Sequence, residues 1–245
     1  MNRQSRPFAA FDIDGTLIRW QLYHALADVM AKQGIIDGEK YISVLRARQL
    51  WKFRQSANSF ADYEVELVNL INTGIVGLKY TAYKRFCDDV IKRYQDQTYT
   101  FTRDLITELK GQGYILFAIS ASPIELVRQI GTYYGFDDYG ASRFEVNNGK
   151  LTGREELLIG PAKQALLKQL ITKHDATTRK SIAVGDTAGD IAMLQMADQA
   201  IAFNPSRELF DHATKHFWQI VIERKNVIYK LKYVHGQYIL ATSDN

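Results

Sequence analysis

Cysteine is nearly absent from the chain, and proline is scarce: one Cys and four Pro in 245 residues. A single thiol excludes an internal disulfide framework. Cys87 lies in the aromatic-rich stretch Tyr80–Tyr94 with no catalytic or metal motif around it, so it reads as a packing residue. No apolar run approaches the length needed to span a bilayer. The opening MNRQSRPFAAFDIDGT lacks the apolar stretch of a secretory signal. A soluble cytoplasmic protein without membrane insertion is the expectation. A Walker A sequence is missing, and with it the usual sign of P-loop nucleotide hydrolysis. No dense basic stripe is interleaved with aromatics. The short run Arg224, Lys225, Lys230 and Lys232 reads as a solvated strand face, and nucleic acid is not an expected partner. His212 and His216 stand four apart without a third ligand and read as surface histidines.

What the chain does have is an ordinary globular composition, 46% hydrophobic and 24% charged. That suits one sizeable α/β domain, or a core with an insertion. The formal charge of +4 favours an anionic substrate.

Four short apolar runs end in polar residues: Phe8-Ala9-Ala10-Phe11 at Asp12, Tyr114 to Ile119 at Ser120, Ser181 to Val184 at Gly185-Asp186, and Gln199 to Phe203 at Asn204-Pro205. Such runs read as buried parallel strands, and the helical patterns between them imply helices on both faces of the sheet. Residues 19–98 differ: they hold no convincing strand and four helical patterns, the third opening at Ser59. The expectation is an α/β core over residues 1–18 and 99–245 with a helical insertion over 19–98. Two hairpins are expected outside the main sheet. One turns at Asn148-Gly149 and the other at His235-Gly236.

The chemistry-bearing residues sit at strand ends and helix starts. Ligands bind outside the carboxyl ends of strands in an open α/β sheet. There the sequence places Asp12-Ile13-Asp14-Gly15-Thr16 and Gly185-Asp186-Thr187-Ala188-Gly189-Asp190. If their strands are neighbours, four carboxylates meet, and each close pair costs on the order of 4 kcal/mol at an effective dielectric of 20. Such a site calls for a cation, and oxygen-only ligands indicate Mg2+ rather than zinc. Phosphate needs donors: the Ser120 hydroxyl, the amides around Ala121 at a helix start capped by Ser122, and Lys163 after Gly160-Pro161-Ala162. Asp190 also fits a capping box with Thr187.

Together these residues resemble the four motifs of the haloacid dehalogenase superfamily, and specifically its phosphoserine-phosphatase-like branch, which carries a helical cap between the first two motifs. The resemblance implies a Rossmann-like parallel sheet and a phosphatase acting on a small phosphorylated substrate. It implies Asp12 as nucleophile forming an aspartyl phosphate, and Asp14 as the acid and base. It further implies Mg2+ held by Asp12, the Asp14 carbonyl and Asp186, with Asp190 in support. Ser120 and Lys163 would hold phosphoryl oxygens, and Thr16 would orient the first loop. Segments Ala141–Gly153 and Asn204–Leu209 are similar to that branch as well.

Departures from the branch bear on substrate. An acidic position that reads an ammonium is Gln21 here, and a cap arginine that reads a carboxylate aligns with Leu67 if Phe60 is the anchor. The expectation is therefore a neutral or less polar phosphorylated alcohol in preference to phosphoserine. Transfer to a second hydroxyl by a phosphotransferase or phosphomutase, and phosphoserine hydrolysis itself, are the alternatives. A lipid phosphate substrate under an apolar cap surface of Trp20, Trp51 and Phe53 is another. A binding protein without catalysis is disfavoured by the intact acidic set.

Overall fold

The computed structural model describes residues 5–56 and 59–241. Its organising element is β1 (Pro7–Phe11), flanked by β2 (Ile115–Pro123) and β5 (Thr177–Gly185), both parallel to it. Phe8, Ala9, Ala10 and Phe11 are all fully buried. Their side chains alternate: Phe8 and Ala10 join the apolar cluster on one face, Ala9 and Phe11 that on the other. A strand covered on both faces must be apolar throughout, which is why β1 reads as a continuous run.

The described residues form a nine-stranded sheet in the order β4-β3-β2-β1-β5-β6-β7-β8-β9. The remaining strands are β3 (Asp138–Asn147), β4 (Lys150–Glu156), β6 (Gln199–Phe203), β7 (Gln219–Arg224), β8 (Val227–Val234) and β9 (Gln237–Leu240). All four expected parallel strands are present. The parallel set also includes the first half of β3 and β7, which the sequence reading omitted. Both expected hairpins form, with Asn148-Gly149 and His235-Gly236 at positive φ in their turns. They are not separate from the main sheet, however. Each continues it, one at either end, because β3 pairs with β2 and β8 pairs with β7.

Helices α1 (Leu22–Lys32), α2 (Gly38–Lys52), α3 (Ser59–Gly74) and α4 (Tyr80–Tyr94) lie between β1 and the rest of the sheet in sequence and make the helical cap. The chain enters it at Arg19 and leaves at Gln97, joined by the Arg19 amide donating to the Gln97 carbonyl at 2.7 Å. Cys87 is buried in α4 between Tyr83 and Val90, and burial pushes its thiol up, as an unreactive packing residue requires.

The core helices are α5 (Thr100–Gly111), α6 (Ile124–Tyr134), α7 (Pro161–Lys173), the short α8 (Ile191–Leu194) and α9 (Arg207–Lys215). α5 has no side-chain cap of its own. The buried carboxylate of Glu223 on β7 accepts from the Thr100 and Phe101 amides at 3.1 and 2.9 Å instead, complementing the positive end of the helix. No helix among the described residues is long and apolar enough to cross a membrane.

Candidate active site

β1 ends at Phe11, and its direction carries the next residues out over the carboxyl edge of the sheet. The Asp12 amide still donates to Val184 of β5 at 3.0 Å, so the first acidic side chain is fixed by the ladder itself. The chain then turns tightly, with the Leu17 and Ile18 amides both donating to the Ile13 carbonyl. Gly15 holds φ +77, and a Cβ there would stand 2.2 Å from Asp186 Oδ2. Only glycine fits this approach. Thr16 is fully buried, and its carbonyl accepts from Thr102 Oγ1 on α5 at 2.8 Å.

Because β5 neighbours β1, Asp186 and Asp190 arrive beside Asp12, as expected. One carboxylate oxygen from each of the three lies within 4.8 Å of the others. Lys163, on the first turn of α7 after Pro161, reaches into the cluster. Its Nζ is 2.7 Å from Asp12 Oδ1 and 2.6 Å from Asp190 Oδ1. Burial alone would lower the lysine, but attraction to Asp12 and Asp190 outweighs it and holds the ammonium charged.

Asp190 has a narrower role than its neighbours. Its Oδ2 accepts from the Asp186 and Thr187 amides and the Thr187 hydroxyl, completing the expected capping box. Both of its oxygens are therefore engaged.

Asp14 is gripped from two sides. The Leu22 amide, at the start of α1, donates to Oδ1 at 2.6 Å, and the Ser120 hydroxyl donates to Oδ2 at 2.9 Å. Burial raises the Asp14 carboxyl, opposed by these donors and by the Ser122 hydroxyl. Ser120 thus serves Asp14 in this arrangement, and its oxygen also accepts from the Ser122 amide at 3.0 Å.

The β2–β3 register shifts between Ser120 and Pro123, so Ala121 and Ser122 form a bulge at the strand end. This corrects the expected helix start. α6 begins at Ile124, Ser122 is not its cap, and strand geometry runs through Pro123.

Burial also pushes Asp12 up to about 7, with Lys163 lowering it and Asp190 and Asp14 raising it. Asp186 is raised well above the carboxylate range by burial first, then by Asp12 and Asp190. Four carboxylates against one ammonium form an unfinished charge balance. A hard divalent cation fits this donor set: oxygen ligands only, an Asp186 whose main polar neighbour is a distant Thr16 hydroxyl at 3.4 Å, and an Asp14 carbonyl that accepts no hydrogen bond among the described residues. The Asp186 carbonyl is taken by the Ser206 amide at 2.8 Å, which ties its loop to the segment after β6.

From Gly15 and Asp186 a cleft of about 710 Å³ opens toward the cap, and Gln21 and Phe60 both line it. Leu67 does not. It is 2% exposed and packs in the apolar core of the cap, so its side chain is positioned for packing rather than for reading a substrate.

Two groups escaped the sequence reading. Ser122 matched a helix-cap pattern and was assigned to it. Glu64, on α3, has its carboxyl pushed up to about 7, first by the low-water surroundings of the cap and then by Asp14. No local motif marks it. His212 and His216 stack on each other with ring centroids 4.0 Å apart, next to Trp218, and His212 Nε2 is 3.3 Å from Gln195 Nε2.

The haloacid dehalogenase-like hydrolase profile matches residues 9–195. The chain is similar to a phosphoserine phosphatase of Methanocaldococcus jannaschii, 33% identical over 133 residues, covering 54% of this chain and 61% of the relative. It is also similar to one of Archaeoglobus fulgidus, 26% identical over 214 residues, covering 86% of this chain and 56% of the relative. The chain thus spans only about three fifths of the length of these curated relatives. Among solved structures, a Bordetella pertussis Tohama I protein of unknown function superposes with a TM-score of 0.73 at 18% identity, over 90% of this chain and 99% of that one. A phospho-aspartyl intermediate analogue of phosphoserine phosphatase gives 0.65 at 24%, over 91% and 96%. These likenesses establish the fold.

Proposed function

Since the chain belongs to the haloacid dehalogenase-like hydrolases, we propose that it is a Mg2+-dependent phosphomonoester hydrolase working through an aspartyl phosphate on Asp12. The observation that carries this reading is the pairing of two unlike carboxyls. Asp12 faces Lys163, while Asp14 sits between the α1 amide and the Ser120 hydroxyl. Two carboxyls in different environments divide nucleophilic and acid–base roles.

An Asp12 oxygen attacks phosphorus, and the bond to the leaving oxygen breaks. Protonated Asp14, favoured by its burial, gives its proton to that oxygen. Asp14, now ionised, takes a proton from water. The water oxygen attacks the same phosphorus, the bond to Asp12 breaks, and inorganic phosphate leaves. Lys163 neutralises charge on the transferring group and keeps Asp12 oriented. Asp12 and Asp186, with the Asp14 carbonyl, would hold Mg2+, which when bound offsets charge on the phosphoryl oxygens.

The substrate we propose is a small phosphorylated metabolite other than phosphoserine, because Gln21 lines the cleft where an ammonium partner would be acidic, and Leu67 is withdrawn into the cap core. Phosphoserine is the second reading, favoured by the names of the relatives. Side-by-side kcat/KM values for phosphoserine and aryl or alkyl monophosphates at saturating Mg2+ decide between them. Phosphoserine as the best substrate would overturn the first reading, and Mg2+-independent or absent turnover of every monophosphate would overturn both.

A further inference from the structure

The cleft that opens from Gly15 and Asp186 is built for more than a phosphate. Its cap-side wall is aromatic: Trp51 and Phe60 pack with centroids 4.8 Å apart, and Tyr99 stands on the core side. Three arginines, Arg19, Arg54 and Arg207, line the same cleft. Each comes from a different element: the entry to the cap, the end of α2 and the start of α9. Asp186 is the only acidic residue lining it among the described residues.

The arginines are largely uncommitted. Among the described residues the arginine ion pairs belong to Arg103, Arg154 and Arg207. Arg207 spends only its Nε on Asp211, at 2.9 Å, in a pair whose arginine is exposed, leaving the outer nitrogens of its guanidinium. Arg19 lies over the Tyr99 ring, its Cζ 5.6 Å from the centroid. Arg54 is held at φ +54 just past the α2 terminus, next to Ser56 and Ser59 on the cleft wall. Like charges are not gathered beside an apolar wall for folding stability, since each repels the others. A planar fork of donors suits carboxylate, sulfonate or phosphate oxygens.

Building on the phosphatase reading, we infer that the substrate is a two-headed anion: a phosphate monoester whose aromatic or apolar body lies along Trp51, Phe60 and Tyr99 and which carries a second anionic group received by the arginines lining the cleft, Arg19, Arg54 and Arg207. This revises the expectation of a neutral leaving group, which rested on Gln21 and Leu67 alone.

The probes are 2-naphthyl phosphate and its 6-carboxylated counterpart, which differ by the second anion only. With wild-type protein and saturating Mg2+, the carboxylated ester is favoured in kcat/KM by about tenfold or more, the worth of one charge-assisted hydrogen-bonded contact. Arg54→Gln and Arg19→Gln each remove most of that preference through KM, while Arg179→Gln, on β5 away from the cleft, leaves it in place. Raising the salt concentration shrinks the preference. The same pair is titrated onto Asp12→Asn protein by calorimetry, which needs no turnover. Equal affinity and equal kcat/KM for the two esters, or a preference that survives both arginine substitutions, overturns the inference while leaving the phosphatase reading intact. A binding preference that depends on the arginines, in a protein that hydrolyses neither these esters nor any other monophosphate, supports the cleft assignment and overturns the phosphatase reading instead.

Discussion

Lys163 Nζ lies 2.6 Å from Asp190 Oδ1, while the other oxygen of Asp190 faces three donors from residues 186 and 187. Asp190 therefore couples the ammonium of the site to the loop that presents Asp186. An asparagine there must aim its NH2 group at donors in either orientation. Asp190→Asn should lose about 3 kcal/mol of stability, the usual scale for breaking a buried charged network. Urea unfolding without metal checks this, and a midpoint unchanged from wild type would count against the role.

Asp12→Asn should behave oppositely. Burial holds the Asp12 carboxyl at about 7, so above that pH its charge opposes folding. At pH 8 without metal the variant should melt at the wild-type temperature or higher, because Lys163 keeps Asp190 as a partner. Turnover should fall at least about a thousandfold. Mg2+ should raise the melting temperature of wild type more than that of the variant. Trapping with BeF3− and Mg2+ should place the adduct on Asp12, and density on another residue would refute the nucleophile.

Asp14→Asn should retain the Mg2+-dependent rise in melting temperature, since its proposed ligand is the backbone carbonyl. Both phosphorylation and dephosphorylation should slow by about 10²–10⁴, the range for loss of a general acid–base group. Collapse of the metal response with normal turnover at saturating Mg2+ would assign Asp14 to the metal instead.

Gly15→Ala tests the turn between the two acidic residues. The new methyl meets Asp186 Oδ2 at 2.2 Å, and φ +77 costs a non-glycine residue about 1–2 kcal/mol. The concentration of Mg2+ for half-maximal turnover should rise about tenfold or more as Asp186 is displaced. An unchanged metal requirement would show that Asp186 does not bind it.

His24 makes one contribution to the pH dependence of the cap that a single substitution isolates, beside those of Glu64 and of Asp28, 3.7 Å from His24 Nε2. It is 1% exposed, its Nε2 faces Arg48, and its Nδ1 is 2.9 Å from the Tyr63 hydroxyl. Arg48 can only donate, so Nε2 is the acceptor and the imidazole is neutral. Burial first, then Arg48, lowers its pKa from 6.5 to about 3. The unfolded chain binds the extra proton between these values. His24 therefore leaves stability intact above pH 6.5 and removes about 1.4 kcal/mol per pH unit as pH falls below it. Between pH 6.5 and 5.0, wild type should lose about 2 kcal/mol more than His24→Asn in urea unfolding, and parallel losses would exclude the assignment.

The positions of Asp12, Asp186 and Lys163 were legible because each follows a local signal: an apolar strand run, a glycine turn, a Gly-Pro helix start. Cap helices α1, α2 and α4 were legible from apolar spacing, and α3 from Ser59 with Asp62 at the capping-box position. β7 was not, since Gln219–Arg224 has three apolar residues in six, and its place depends on pairing with β6. Leu67 carried a motif alignment but not its direction. Only packing fixes which helix face meets the cleft, and its neighbour Glu64 was invisible for the same reason.

The sheet order has a consequence for synthesis. β1 precedes its neighbours β2 and β5 by roughly a hundred residues or more, and Asp12 meets Asp186 only once β5 has paired. Until then Phe8 and Phe11 lack one of the two strands that flank them, and Asp12 stands without Asp186 beside it. A chain that stops before Thr177 therefore lacks Asp186 and one wall of β1, and the apolar surface left open is a route to association with other chains.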